Sequence, residues 1–140
     1  MVLEGTWFVL ATNFPMWTKG RRMQPRFVYS HFRGVEGRET FDSTVEYVEG
    51  GRARTIVGVE TCVGPGRYRW RGKGWLGLFT SRWQIIAATR DEQLLAISFE
   101  ATLFTPAGID LISRTKHPDE DAVARLVSTM GSPPLTRLAW

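Results

Sequence analysis

The stretch Arg67-Tyr68-Arg69-Trp70-Arg71 alternates a guanidinium group with an aromatic ring at every step. Successive side chains of an extended chain point to opposite faces, so this order puts the arginines on one face and the rings on the other. Helical winding would scatter both kinds around an axis and leave no apolar stripe. The segment is therefore a half-buried strand, wet on one face and packed on the other. A lone strand of this kind cannot persist, so the chain must supply neighbours that continue its packed face.

It supplies them at short intervals. Gly5 to Thr12 is a β-prone run, and Arg26 to Phe32 follows Pro25 with Phe27, Tyr29 and His31 on one face. Thr40 to Val48 and Arg52 to Thr61 flank Glu49-Gly50-Gly51, a hairpin turn signal. After Arg67–Arg71 comes a glycine-rich link, residues 72–79, which lacks the Gly-Lys-Ser/Thr ending of a phosphate loop and is expected to bend or bulge. Arg82 to Thr89 places Trp83, Ile85 and Ala87 together. Leu94 to Phe104 places Leu95, Ile97, Phe99, Ala101 and Leu103 together, opposite Ser98, Glu100 and Thr102. Ile109 to Arg114 is the eighth strand. The loop Asn13–Gly20 carries Phe14, Met16 and Trp17, too much apolar surface for a solvated connection, and is expected to fold over an opening or to pin itself to the core.

Only one helix is expected, over about 118–130. Pro118 fits its first turn, Asp119, Glu120 and Asp121 complement the positive end of its dipole, and Ala122, Val123, Leu126, Val127 and Met130 form one apolar stripe. Gly131 and Pro133-Pro134 end it, and residues 135–140 form a short closing segment. Eight strands joined by short turns, with one face consistently apolar, expose more surface than a single helix covers. Closing the sheet on itself covers that face and removes its edges. The expected fold is all-β: an eight-stranded antiparallel up-and-down β-barrel, strands about 5–115, with one C-terminal α-helix packed outside, in a single domain of 140 residues. A barrel of that size is wide enough to hold one small ligand.

Gly5-x-Trp7 at the head of the first strand and Ile112-Ser113-Arg114-Thr115 at the end of the eighth, followed by a Pro-led helix, resemble the first and third motifs of the lipocalins. The resemblance spans nearly the whole chain. The family's middle motif, a Thr-Asp-Tyr-like turn, is not evident; Arg90-Asp91-Glu92-Gln93 stands in its place. In that family the arginine packs across the tryptophan at the closed end of the barrel. The residues suggest the same pairing independently, since a guanidinium stacked on an indole is a favourable contact. The resemblance implies a hollow barrel that binds a small hydrophobic molecule.

By strand parity the cavity is expected to be lined by Tyr29, Tyr47, Tyr68, Trp70, Trp83, Ile85, Ile97 and Phe99. An alternative is a cofactor-free cyclase or isomerase that folds a hydrophobic intermediate and excludes water. Its acid–base candidates are His31, Tyr29, Tyr47 and Glu46, with Glu60 and Glu100 behind them. His31 shares the Tyr29 face, so parity sends both inward, and ligation of haem by His31 stays open. Glu100, opposite the apolar face of its strand, is expected outside, and Asp42, Asp110 and His117 read as turn, surface or cap residues.

The remaining features narrow the setting. Two histidines and one cysteine, Cys62, lack the spacing of a closed zinc site, so no metal and no cofactor are expected. The net charge of +4 comes from arginines spread singly along strands, a solvated-face pattern rather than a nucleic-acid footprint. Met1-Val2-Leu3-Glu4 leads directly into a strand, and no apolar run is long enough to span a bilayer. The expectation is a cytoplasmic monomer or homodimer whose partner is a small hydrophobic ligand or substrate, not nucleic acid or a membrane.

Overall fold

The structure is a computed structural model that describes residues 1–103, 105–131 and 134–140, with the backbone alone at residues 75 and 76. Its strands are β1 (Gly5–Thr12), β2 (Arg22–Val35), β3 (Arg38–Glu49), β4 (Arg52–Gly64), β5 (Arg67–Gly72), β6 (Thr80–Ala88), β7 (Leu94–Phe99), β8 (Gly108–Ser113) and the short β9 (Thr136–Arg137). All neighbouring pairs are antiparallel, and the order β2 through β8 continues to β1, which pairs back onto β2. The first eight strands thus close into an up-and-down barrel, and β9 adds to β1 alongside it.

Trp7 seals one pole. It is fully buried, and its indole N–H donates to the Leu3 carbonyl at 2.8 Å. The Arg114 guanidinium lies 4.0 Å from the ring centroid and donates through Nη2 to the Val2 carbonyl at 2.7 Å. Gly5 is required here: its φ is 109°, and a Cβ at this position would sit 2.8 Å from Arg114 Nη1.

The interior cluster includes Trp7, Val9, Phe27, Tyr29, Phe41, Tyr68, Trp83, Leu95, Ile97 and Ile112. A second cluster lies outside the barrel wall, where Val123 and Leu126 of helix α2 (Glu120–Met130) cover Leu10, Ala11, Leu94, Ala96 and Leu111. β1, β7 and β8 therefore bury both faces, which is why their sequences read as apolar runs rather than alternation. The helix starts two residues later than expected: Asp119 is its N-cap, accepting from the Asp121 N–H, and Pro118 stands outside. Gly131 ends it in the left-handed conformation. Val127 falls off the buried stripe and is exposed. The expected stop at Pro133 lies outside the described residues.

Register shifts occur at five places among the described residues, two of them at Met23/Arg26 and Cys62/Gly64, and the other three redirect side chains that parity had assigned. Between Ser30 and Arg33 the β2–β3 register shifts and His31 takes a φ of 57°, which turns it outward and brings Phe32 in to stack on Phe41 at 4.3 Å. Between Ile85 and Ala87 the β6–β7 register also shifts, so Ala87 leaves the interior face of Trp83 and Ile85 for the helix-side cluster. The third lies between Val9 and Ala11 and sends Leu10 and Ala11 to the helix side. β7 ends at Phe99, short of the expected boundary at Phe104, which is outside the described residues. Ala101 is exposed, and Leu103 is 95% exposed instead of facing inward. The chain leaves the sheet there because Thr102 and Thr105 close a local turn, the Thr105 N–H donating to Thr102 Oγ1 at 3.0 Å. The glycine-rich link forms one 3₁₀ turn at Gly74–Leu78.

Candidate functional site: the upper barrel cavity

The lower half of the barrel is filled by rings. Tyr68 stacks on Trp83 at 4.4 Å, Tyr29 on Trp83 at 6.1 Å, and Phe41 meets Tyr29 edge-on at 5.2 Å. Above this floor lies a cavity of about 520 Å³, lined among others by Phe14, Trp17, Phe27, Val45, Ile56, Trp70 and Phe99. Its roof is the loop after β1, folded as the one-turn helix α1 (Pro15–Thr18). Pro15 sets the first turn of α1, and the Phe14 N–H donates to Thr12 Oγ1 at 3.0 Å. Phe14 then packs edge-on against Phe99 at 5.3 Å. It lies directly over Gly108, where a Cβ would come within 2.5 Å of the ring.

Two carboxyl groups are buried in the barrel interior, and one of them, Glu60, borders the cavity. Glu60, on β4, is 2% exposed, and its Oε1 accepts from the Trp83 indole N–H at 3.0 Å. Ser43 on β3 also hydrogen-bonds it. Burial outweighs both bonds and pushes the Glu60 pKa up to about 7. Asp110, on β8, is 1% exposed and lies opposite Ile97 of the interior face. Thr12 hydrogen-bonds one side of it, while Oδ1 has no partner among the described residues, and burial raises its pKa to about 7. Tyr29 feels both: burial first, then Glu60, Asp110 and Tyr68, hold its hydroxyl protonated well beyond the ordinary range.

The expected site residues divide by height. Tyr29, Trp70, Trp83 and Phe99 line the cavity. Tyr68, Ile85 and Ile97 pack in the interior beneath it. Tyr47 stands at the mouth, edge-on to Trp17 at 5.5 Å and with the Arg22 guanidinium 5.4 Å from its ring. Two acid–base candidates are displaced to the exterior. The His31 side chain is 75% exposed, 3.5 Å from Asp42, because of the bulge described above; it faces out of the barrel and not into its interior. Glu46 faces solvent and pairs with Arg26 at 3.5 Å. Its neighbours Val45 and Tyr47 take the inward face of β3. Glu100 is exposed at the rim.

Asp110 is misplaced in the opposite sense: it is an interior group, not a turn, surface or cap residue. Its parity with Ile112 was the available signal, but Leu111 is equally apolar and hides which face is inside. Among the described residues no group of three or more His, Cys, Asp or Glu could hold a metal ion, and no helix is long and apolar enough to cross a membrane.

No protein-family model and no curated protein sequence matches this chain. Among solved structures, the siderocalin Ex-FABP, described as functioning through dual ligand specificities, superposes with a TM-score of 0.71 over 98% of this chain and 93% of that one, at 14% identity. That likeness rests on backbone course alone, and it joins the closed eight-strand order and the Trp7–Arg114 seal already seen. The protein has a lipocalin-like fold.

Proposed function

We propose that this barrel binds a small hydrophobic molecule in its upper cavity. The observation that carries the reading is the cavity of about 520 Å³ roofed by Phe14 and Trp17 and floored by Tyr29 and Trp83. That is the size and lining of a small-molecule site, apolar with a few polar groups. Titrating an apolar fluorophore such as N-phenyl-1-naphthylamine tests it, read by energy transfer from the interior tryptophans. Val45→Trp, which fills the space, abolishes saturable binding while the melting temperature holds. Equal binding to the filled variant overturns the proposal. Such binding changes little with salt, whereas a polyanion on the Arg67, Arg69 and Arg71 face would leave steeply as salt rises. The proposed setting is cytoplasmic, with Cys62 a free thiol whose S–H donates to the Gly64 carbonyl at 3.1 Å.

One observation supports a second reading, a cofactor-free cyclase or isomerase. Glu60, with its pKa near 7, is a carboxyl able to exchange a proton at neutral pH, and it borders the same cavity as Tyr29, whose hydroxyl is held protonated as a hydrogen-bond donor. The test is turnover: a bound apolar compound returned chemically changed, at a rate that Glu60→Gln reduces, supports it, and unchanged recovery of every compound removes it.

A further inference from the structure

We propose that the ligand of this cavity is an organic cation, an apolar amine or quaternary ammonium whose charged head sits against Glu60; this rests on the cavity being a binding site. Glu60 borders the cavity yet is 2% exposed, and no lysine, arginine or histidine pairs with it among the described residues. Buried carboxylates are ordinarily paired, because an isolated charge in an apolar setting is costly. Trp83 and Ser43 supply two donors. An ionised carboxylate has about four acceptor sites, so acceptor capacity is left over.

The surroundings favour a cation over a neutral donor. Tyr29, Trp83, Phe27, Trp70 and Phe99 border the same space, and aromatic faces attract cations as they do in ammonium-binding cages. The groups acting on Glu60 are few. Ser43 of β3 and Trp83 of β6 are hydrogen-bonded to it, and Tyr29 of β2 and Tyr68 of β5 lie within its field. Asp110 of β8 adds a second acidic group acting on Tyr29. All of these are neutral or acidic. Arg82, at the cavity edge, is exposed, and so is Glu100 beside it. An anionic head at the floor would therefore meet only like charge.

The experiment compares decylamine, decanol and decanoate as competitors of N-phenyl-1-naphthylamine, between pH 5 and pH 8. The amine, with a pKa close to that of lysine, stays protonated throughout. The expected order at pH 8 is amine tighter than alcohol, alcohol tighter than carboxylate. The amine's affinity falls roughly a hundredfold from pH 8 to pH 5 as Glu60 takes up its proton, while decanol's changes little. Glu60→Gln keeps an acceptor for Trp83 and removes both the amine's advantage and its pH dependence, leaving decanol within about twofold. Should that variant fail to fold, the pH titration of the native chain decides alone. Decanoate binding as tightly as decylamine at pH 8 overturns the cation proposal and leaves apolar binding standing. Displacement by none of the three, with no saturable uptake of the fluorophore, overturns the binding site itself and the proposal with it.

Discussion

Replacing Glu60 by glutamine should change how stability depends on pH. A carboxyl group whose folded pKa lies above its unfolded value binds its proton longer in the folded chain. Between the two values the folded state holds more protons, so stability falls as pH rises. The stabilisation is complete below the unfolded value of about 4.5 and gone above the folded value of about 7. At 1.36 kcal/mol per pH unit and proton, the span from 4.5 to about 7 amounts to about 3 kcal/mol. The amide of Glu60→Gln cannot titrate, so the variant escapes this loss. The stability of the variant minus that of the native chain should therefore rise by about 3 kcal/mol from pH 4.5 to pH 8. Most of the rise falls between pH 5 and pH 7. Urea denaturation of both proteins at half-unit pH steps measures it, and taking the difference cancels every other titrating group. A flat difference, or one that moves in favour of the native chain as pH rises, would refute the claim that this carboxyl is buried without a counter-charge.

The other expectations are shorter. Asp110→Asn should show the same sign over a window from about 3.8 to about 7, worth about 4 kcal/mol, in the same denaturation assay. Trp7→Ala should cost on the order of 3–5 kcal/mol, since the residue is fully buried, and an unchanged melting temperature would deny it the sealing role. Arg114→Lys should restore little of the loss seen in Arg114→Ala, because an ammonium lacks the planar face that stacks on the indole. Gly108→Ala should lift Phe14 from its seat and weaken fluorophore binding more than it lowers stability; an affinity equal to the native chain's would show that Phe14 does not hold the roof.

Much of the barrel was legible because short turns separate segments whose faces differ. β1 was read to the residue, and the Arg67–Arg71 alternation identified the inward rings of β5 without ambiguity. Legibility failed where backbone geometry, not side-chain pattern, decides direction. His31 follows Tyr29 at the inward spacing, yet one residue at positive φ reverses it. Nothing in Ser30-His31-Phe32 announces that bulge. Ala87 failed for the same reason. Asp110 failed for a different one. β8 is buried on both sides, by the barrel interior and by α2, so Ile109-Asp110-Leu111-Ile112 offers no wet face from which to count. A carboxylate in such a strand invites an exterior placement, when it is the interior that holds it.

The Trp7–Arg114 seal also constrains how the chain can be made. The Arg114 side chain meets a carbonyl 112 positions earlier, so the contact spans most of the polypeptide. During synthesis β1 leaves the ribosome early and can join β2 at once, but its other edge must wait until β8 has emerged. Contacts of such long range are entropically late, and chains that depend on them fold slowly. Nascent chains stalled before residue 108 should therefore be protease-sensitive at β1, and resistance should appear only after β8 has emerged.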